Sequence, residues 1–134
     1  MPFKIDPSKQ GLRKFLKEHE EHTLRYFWDG NETPVGTKKV WENVNSELGE
    51  KTSVSRATII NFLAKMEREG VLTAQDSTGR GGHRPLYSKS YDEKGFLQYI
   101  IRAIFDSMMK DYPSVTRETL KQLITEGVQA FMID

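Results

Sequence analysis

The chain has 134 residues, no cysteine and a formal charge of +1 at neutral pH, which suits one domain of ordinary size or a small domain carrying a helical arm. The missing cysteines exclude disulfides, thiolate metal sites and a cysteine nucleophile. No apolar run is long enough to span a bilayer and no secretory leader pattern is present, so a soluble, cytoplasmic protein with no membrane partner is expected.

Residues 1–10 carry Pro2, Pro7 and mixed charge without periodicity, and they read as a mobile lead-in. From Gly11 to Asp29 the pattern turns helical, with Leu12, Phe15, Leu16, Leu24, Phe27 and Trp28 at apolar positions, as one long helix or two consecutive ones. His19 and His22 stand among Glu18, Glu20 and Glu21, but a structural zinc site needs four ligands and no second half is present. The run HEEH also lacks the spacing of a zinc hydrolase. A solvated face is expected there, with no metal and no cofactor. Asp29, Gly30 and Asn31 mark a turn, and Pro34 and Val35 could add a short strand.

Thr37 is placed to cap the next helix, which Gly49 ends. Val40, Trp41, Val44 and Leu48 form its apolar stripe, and Lys38, Lys39, Glu42 and Asn45 its outer face. Glu50, Lys51 and Thr52 then make the short turn that a helix-turn-helix requires.

The stretch SVSRATIINFLAKMEREG organises the rest. Ser53 or Ser55 can accept orphan backbone N–H bonds, and Gly70 stands where a left-handed stop is needed, which predicts a helix over 53–69. Ile59, Phe62, Leu63 and Met66 recur at i, i+3, i+4 and i+7 as a core stripe. The opposite side carries Ala57, Asn61, Ala64 and Arg68, flanked by Thr58, Ile60 and Lys65, with Arg56 near the start. A major groove offers thymine methyls to Ala, Thr and Ile, an adenine edge to Asn, and phosphates to Arg and Lys.

Val71 to Asp76 and Leu86 to Tyr91 read as extended runs on either side of STGRGGHRP. Gly79, Gly81 and Gly82 can take positive φ there, and Pro85 suits an edge. Arg80, His83 and Arg84 would project from this wing, over 77–85, to clamp phosphates or enter a minor groove. Charge supports this placement: residues 50–90 hold seven Lys or Arg against four acids, and residues 91–134 hold five against seven, so the middle is locally positive.

Past the wing, Asp92 can cap a helix running to about Tyr112, where Pro113 breaks it. Phe96, Leu97, Ile100, Ile101, Ile104, Phe105, Met108 and Met109 line it in two neighbouring apolar columns. Ser114 to Glu126 reads as a last helix, with Thr116 at its cap, Leu120, Leu123 and Ile124 inward, and Gly127 at its end. So much apolar surface after a complete small domain predicts a homodimer, formed through Phe96, Leu97, Ile100, Ile101, Ile104, Phe105, Met108, Leu120, Leu123 and Ile124.

This order of elements resembles a winged helix-turn-helix repressor of the penicillinase-repressor type, the BlaI/MecI group. The resemblance runs from about Leu24 to Leu123, through LRYFWDG, SVSRATIINFLAKMEREGVL, PLYSKSY and the helical C-terminal arm. It implies a homodimeric repressor on a palindromic operator. By position, Ala57, Thr58, Ile60 and Asn61 would read bases, while Ser55, Arg56, Lys65 and the wing residues Arg80, His83 and Arg84 would hold the backbone. Members commonly carry Lys or Arg at the positions of Ala57 and Ile60, so T·A-rich half-sites are expected instead. The chain departs from the group in its extension before about Glu20. It also lacks C-terminal cysteines, and its C-terminal helices have no Asn-Phe cleavage pair.

The expected architecture is thus mainly α with a small β-wing: an N-terminal extension over 1–20, a winged helix-turn-helix domain over 21–91 and a dimerisation region over 92–134. The expected function is a sequence-specific regulator of transcription whose partners are double-stranded DNA and a second copy of itself. A winged-helix module that binds another protein, with Ile60 as anchor, is the alternative. No nucleophile–base pairing, carboxylate dyad or phosphate loop marks an enzyme. Trp28, Trp41 and Phe105 are expected in the core rather than around a ligand.

Overall fold

The computed structural model describes residues 3–30, 34–79 and 82–127, with only the backbone described at 78, 79, 82 and 83. The chain divides into two compact units, Pro2–Phe96 and Leu97–Asp134.

In the first unit a 3-10 turn at Gly11–Lys14 precedes helix α1 (Glu18–Trp28), so the helical pattern of this region resolves into two elements. Helix α2 covers Thr37–Leu48 and α3 covers Arg56–Arg68. Thr37 is the first helical residue and not the cap; Gly36 holds that place. Strands β1 (Leu72–Gly79) and β2 (Gly82–Lys89) form an antiparallel hairpin in register from Leu72 opposite Lys89 to Gly79 opposite Gly82. The ladder reaches further than its apolar residues suggested, through Ser77, Thr78 and Gly79 on one side and Gly82 to Pro85 on the other. Val35 adds a one-residue bridge on the far side of β2, exchanging backbone bonds of 2.9 and 2.8 Å with Tyr87.

Helix α2 packs between α1 and α3, while β1 lies on α3 and β2 on α1 and α2. The stripe Ile59, Phe62, Leu63 and Met66 is buried, together with Leu24 and Phe27 of α1, Val40 and Val44 of α2, and Val71, Leu72 and Tyr87 of the hairpin. Each large side chain in this set contributes about 1.5–3 kcal/mol on burial.

Helix α3 ends in a complete Schellman motif. The Gly70 N–H bonds to the Glu67 carbonyl and the Val71 N–H to the Met66 carbonyl, at 3.1 and 2.9 Å. Gly70 supplies the positive φ of 78° this requires, and Val71 after it is buried. Gly49, which closes α2, has φ 83° and ψ 173°, a region open essentially to glycine alone.

From Phe3 onward the lead-in is not loose. Phe3 is buried and stands edge-on to Phe96, with ring centroids 5.5 Å apart, and the Asp6 N–H donates to the Lys14 carbonyl at 2.8 Å. A segment without periodicity carries no helix or strand signal, yet one aromatic suffices to anchor it.

Helix α4 (Glu93–Asp111) starts in the first unit, where the Asp92 carboxylate accepts the Gly95 N–H at 2.7 Å. Helix α5 (Pro113–Gln122) has its proline at the first helical position, where no N–H is needed. It gives way at Leu123–Gly127 to a wider π turn. Thr116, expected at the cap, lies inside α5, buried, with no hydrogen-bond partner for Oγ1 among the described residues. No helix among the described residues is long and apolar enough to cross a membrane.

Candidate functional site

The turn that aims α3 is held by side chains of α2. Asn45 donates through Nδ2 to the Val54 carbonyl at 3.0 Å and accepts the Val54 N–H on Oδ1 at 2.9 Å. Trp41 Nε1 donates to the same carbonyl at 2.9 Å. Residues 41 and 45 are one helical turn apart, so both reach one point on the chain. Asn45 was expected on an outer face and Trp41 only as apolar filling; both satisfy the backbone of a half-buried residue that no helix or sheet serves. Thr52 Oγ1 closes the end of α2 on the Leu48 carbonyl at 2.6 Å.

Of the two candidate serines, Ser55 is the cap. Its Oγ accepts the Thr58 N–H at 3.2 Å and lies 2.9 Å from the Thr58 hydroxyl. Arg56 is therefore the first helical residue, three later than the sequence pattern suggested. Arg56, Ala57, Ile60, Asn61 and Arg68 are exposed on the side away from the core stripe, and Ile60 keeps 40% of its surface open. Thr58 is half-buried with its hydroxyl engaged by Ser55, which leaves its methyl as the free feature. Lys65, expected to reach outward, is half-buried, and its Nζ stands 5.7 Å from the centroid of the Phe3 ring, a cation–π arrangement.

On the hairpin, Arg84 is exposed and pairs across the ladder with Ser77. Arg80, Gly81 and the side chain of His83 lie outside the described residues.

Behind α3, the α1 pair HEEH does not form a solvated face. His19 is half-buried, edge-on to Phe62 with centroids 6.4 Å apart. Burial holds the His19 pKa below its ordinary value of 6.5, against the raising effect of Glu20 and with a smaller lowering from Lys17. Glu21 joins two cations, Arg13 at 3.2 Å and Arg25 at 3.0 Å, and Arg25 continues to Glu93 at 3.4 Å. Burial works to raise the Glu21 pKa, but the two guanidinium groups together outweigh it and hold the carboxyl below its usual range.

Among the residues expected to pair two copies, Phe96 and Ile100 are fully buried within the single chain. Phe96 contacts Phe3 and, at 5.5 Å between centroids, Trp28. Neither has side-chain surface left for a second copy; the expectation missed this because an inward residue at the start of a long helix cannot be told from an outward one by periodicity alone. Leu97, Ile104 and Leu120 are half-buried, while Ile101, Phe105, Met108, Leu123 and Ile124 are exposed.

No family model matches the chain. It is 20% identical over 124 residues to a subunit of the aspartyl/glutamyl-tRNA(Asn/Gln) amidotransferase of Dinoroseobacter shibae, covering 92% of this chain, and it spans about a quarter (25%) of the length of that curated relative. Among solved structures it is similar to a possible transcriptional regulator from Methanosarcina mazei Go1. That match has a TM-score of 0.51 and 14% identity, covering 80% of this chain and 78% of the other. A candidate transcriptional regulator from Thermoplasma acidophilum aligns at a TM-score of 0.48 with 18% identity, over 69% of this chain and 92% of that one. Among the described residues the architecture is mainly helical with one antiparallel hairpin, a winged-helix-like fold similar in structure to the Methanosarcina protein.

Proposed function

We propose that this chain is a dimeric, sequence-specific DNA-binding regulator of transcription, acting as a repressor on a palindromic operator in the manner of the BlaI/MecI group. The observation that carries the reading is the open side of α3. A capped, rigidly latched helix leaves Ala57, Ile60 and Asn61 uncovered between Arg56 and Arg68, and a hairpin bearing exposed Arg84 follows it directly. Ala57, Ile60 and the Thr58 methyl suit thymine methyls, and Asn61 suits an adenine edge. Arg56, Arg84 and the wing residues Arg80 and His83 serve the phosphates, with Ser55 chiefly positioning the helix start.

Dimerisation through 97–134 is supported by a second pattern. Ile101, Phe105 and Met108 of α4 are all exposed at spacings of four and three, the seam spacing of a paired helix. Leu123 and Ile124 add open apolar surface at 53% and 67% exposure. Two copies would set two reading helices about 34 Å apart on one duplex, or a multiple of that.

Selection of bound duplexes from a random pool, with analytical ultracentrifugation of the recovered complex, tests both parts. Two protein copies on a two-fold symmetric, T·A-rich site are expected. Exposed Ile60 also suits an anchor for a protein partner; recovery of no duplex at low salt, with Ile60→Asp abolishing capture of a partner protein, would replace the DNA reading with that one.

A further inference from the structure

The N-terminal segment, for which the regulator reading has no use, builds a cavity of about 490 Å³ against the flank of α3. That is within the size range of small-molecule sites, about 300–1,000 Å³. Its lining is unusually one-sided. Lys4, Lys9, Arg13, Lys14, Lys17 and Lys65 stand around it with only Asp6 and Glu20 as acids. Both acids are already engaged, Asp6 with the Ser8 hydroxyl and N–H and Glu20 with the Lys17 N–H at 2.7 Å. The Lys14 ammonium donates to the Lys9 carbonyl and Arg13 is paired with Glu21. Lys4, Lys9 and Lys17 form no ion pair among the described residues. Ile5 and Phe15 give the same cavity an apolar wall.

We infer that this cavity is a binding site for a small organic polyphosphate carrying a ring, the chemistry of a nucleotide, and that its occupant competes with DNA. Several unpaired ammonium groups around one concavity call for a multiply charged anion, since such groups repel one another until a counter-charge arrives. The apolar wall favours an anion with a flat body over a bare one, and a concave wall suits a small molecule better than a rod-like duplex. Lys65 belongs to both surfaces: it lines the cavity and it stands on the edge of the helix face proposed to meet DNA. An occupant that recruits the Lys65 ammonium places its own negative charge beside that face and repels the duplex. The competition, though not the binding, rests on the DNA-binding reading.

Titration calorimetry of the full chain with ATP, with inorganic tripolyphosphate and with a duplex separates these points. ATP is expected to bind at one site per chain, and tripolyphosphate about tenfold more weakly for lack of a ring. The double variant Lys4→Gln, Lys9→Gln should weaken ATP by about tenfold or more and leave duplex affinity unchanged. No heat with ATP, or equal affinity for ATP and tripolyphosphate, overturns the nucleotide site. Equal losses of ATP and duplex affinity in the double variant also overturn it, by making these lysines a DNA-backbone surface. ATP binding without any fall in duplex affinity at constant ionic strength overturns the competition alone. A protein that binds ATP and no duplex contradicts the regulator reading and leaves the site standing.

Discussion

Asn45 satisfies both backbone groups of Val54 with one amide and Trp41 adds a second donor on the carbonyl, so the turn that aims α3 rests on two side chains of α2. Asn45→Ala should lower stability by about 1–3 kcal/mol, because it strands a half-buried donor and leaves Trp41 alone on the carbonyl. Urea unfolding followed by circular dichroism reads this as a lower midpoint at unchanged slope. His19 makes a second residue-scale expectation, with its sign fixed by the direction of its shift. Its folded pKa lies below 6.5 because burial against Phe62 disfavours the cation. The unfolded chain therefore takes up the proton first as pH falls. The stability that neutral His19 contributes is complete above about pH 6.5 and is lost below it, down to the folded pKa. Thermal melts between pH 7.5 and 5.5 should show a falling Tm, and His19→Gln should flatten the dependence. Glu21 acts in a separate, more acidic window, since its depressed pKa yields stability that disappears only below the usual carboxylate range.

At the scale of elements, the exposed seam of α4 carries the expectation for assembly. Phe105→Asp, on open surface of the single chain, should convert a dimer to a monomer in sedimentation velocity without changing helix content, because it places a charge where two apolar stripes would meet. The helices were legible from their stripes and stops: Gly49 and Gly70 end α2 and α3, and Ile59, Phe62, Leu63 and Met66 are the core they were expected to be. Contacts between segments distant in sequence were not legible. Phe3 carries no periodic signal and is fixed by Phe96, some ninety residues away. Asn45 looks like any outward polar residue until the chain turns back over it. Lys65 looks outward because a wheel shows only its own helix, and the N-terminal segment that covers it lies outside that wheel. The strand ends differ from expectation for a related reason: backbone pairing carries the ladder into a glycine-rich stretch with no apolar residues to announce it.

For the molecule as a whole, the reading of α3 requires binding that weakens steeply with salt, by a log–log slope of about 0.9 for each phosphate neutralised. The proposed division of labour requires that the two kinds of contact separate. The most direct measurement is equilibrium binding of wild type, Asn61→Ala and Arg84→Ala to a selected operator and to a scrambled duplex across a salt series. Arg84→Ala is expected to weaken both duplexes alike and to reduce the slope by about 0.9. Asn61→Ala is expected to lose about 1–3 kcal/mol on the operator alone, at unchanged slope. Equal losses by both variants on both duplexes, or a wild-type protein that prefers neither duplex at any salt concentration, would contradict the claim that the open side of α3 reads base pairs.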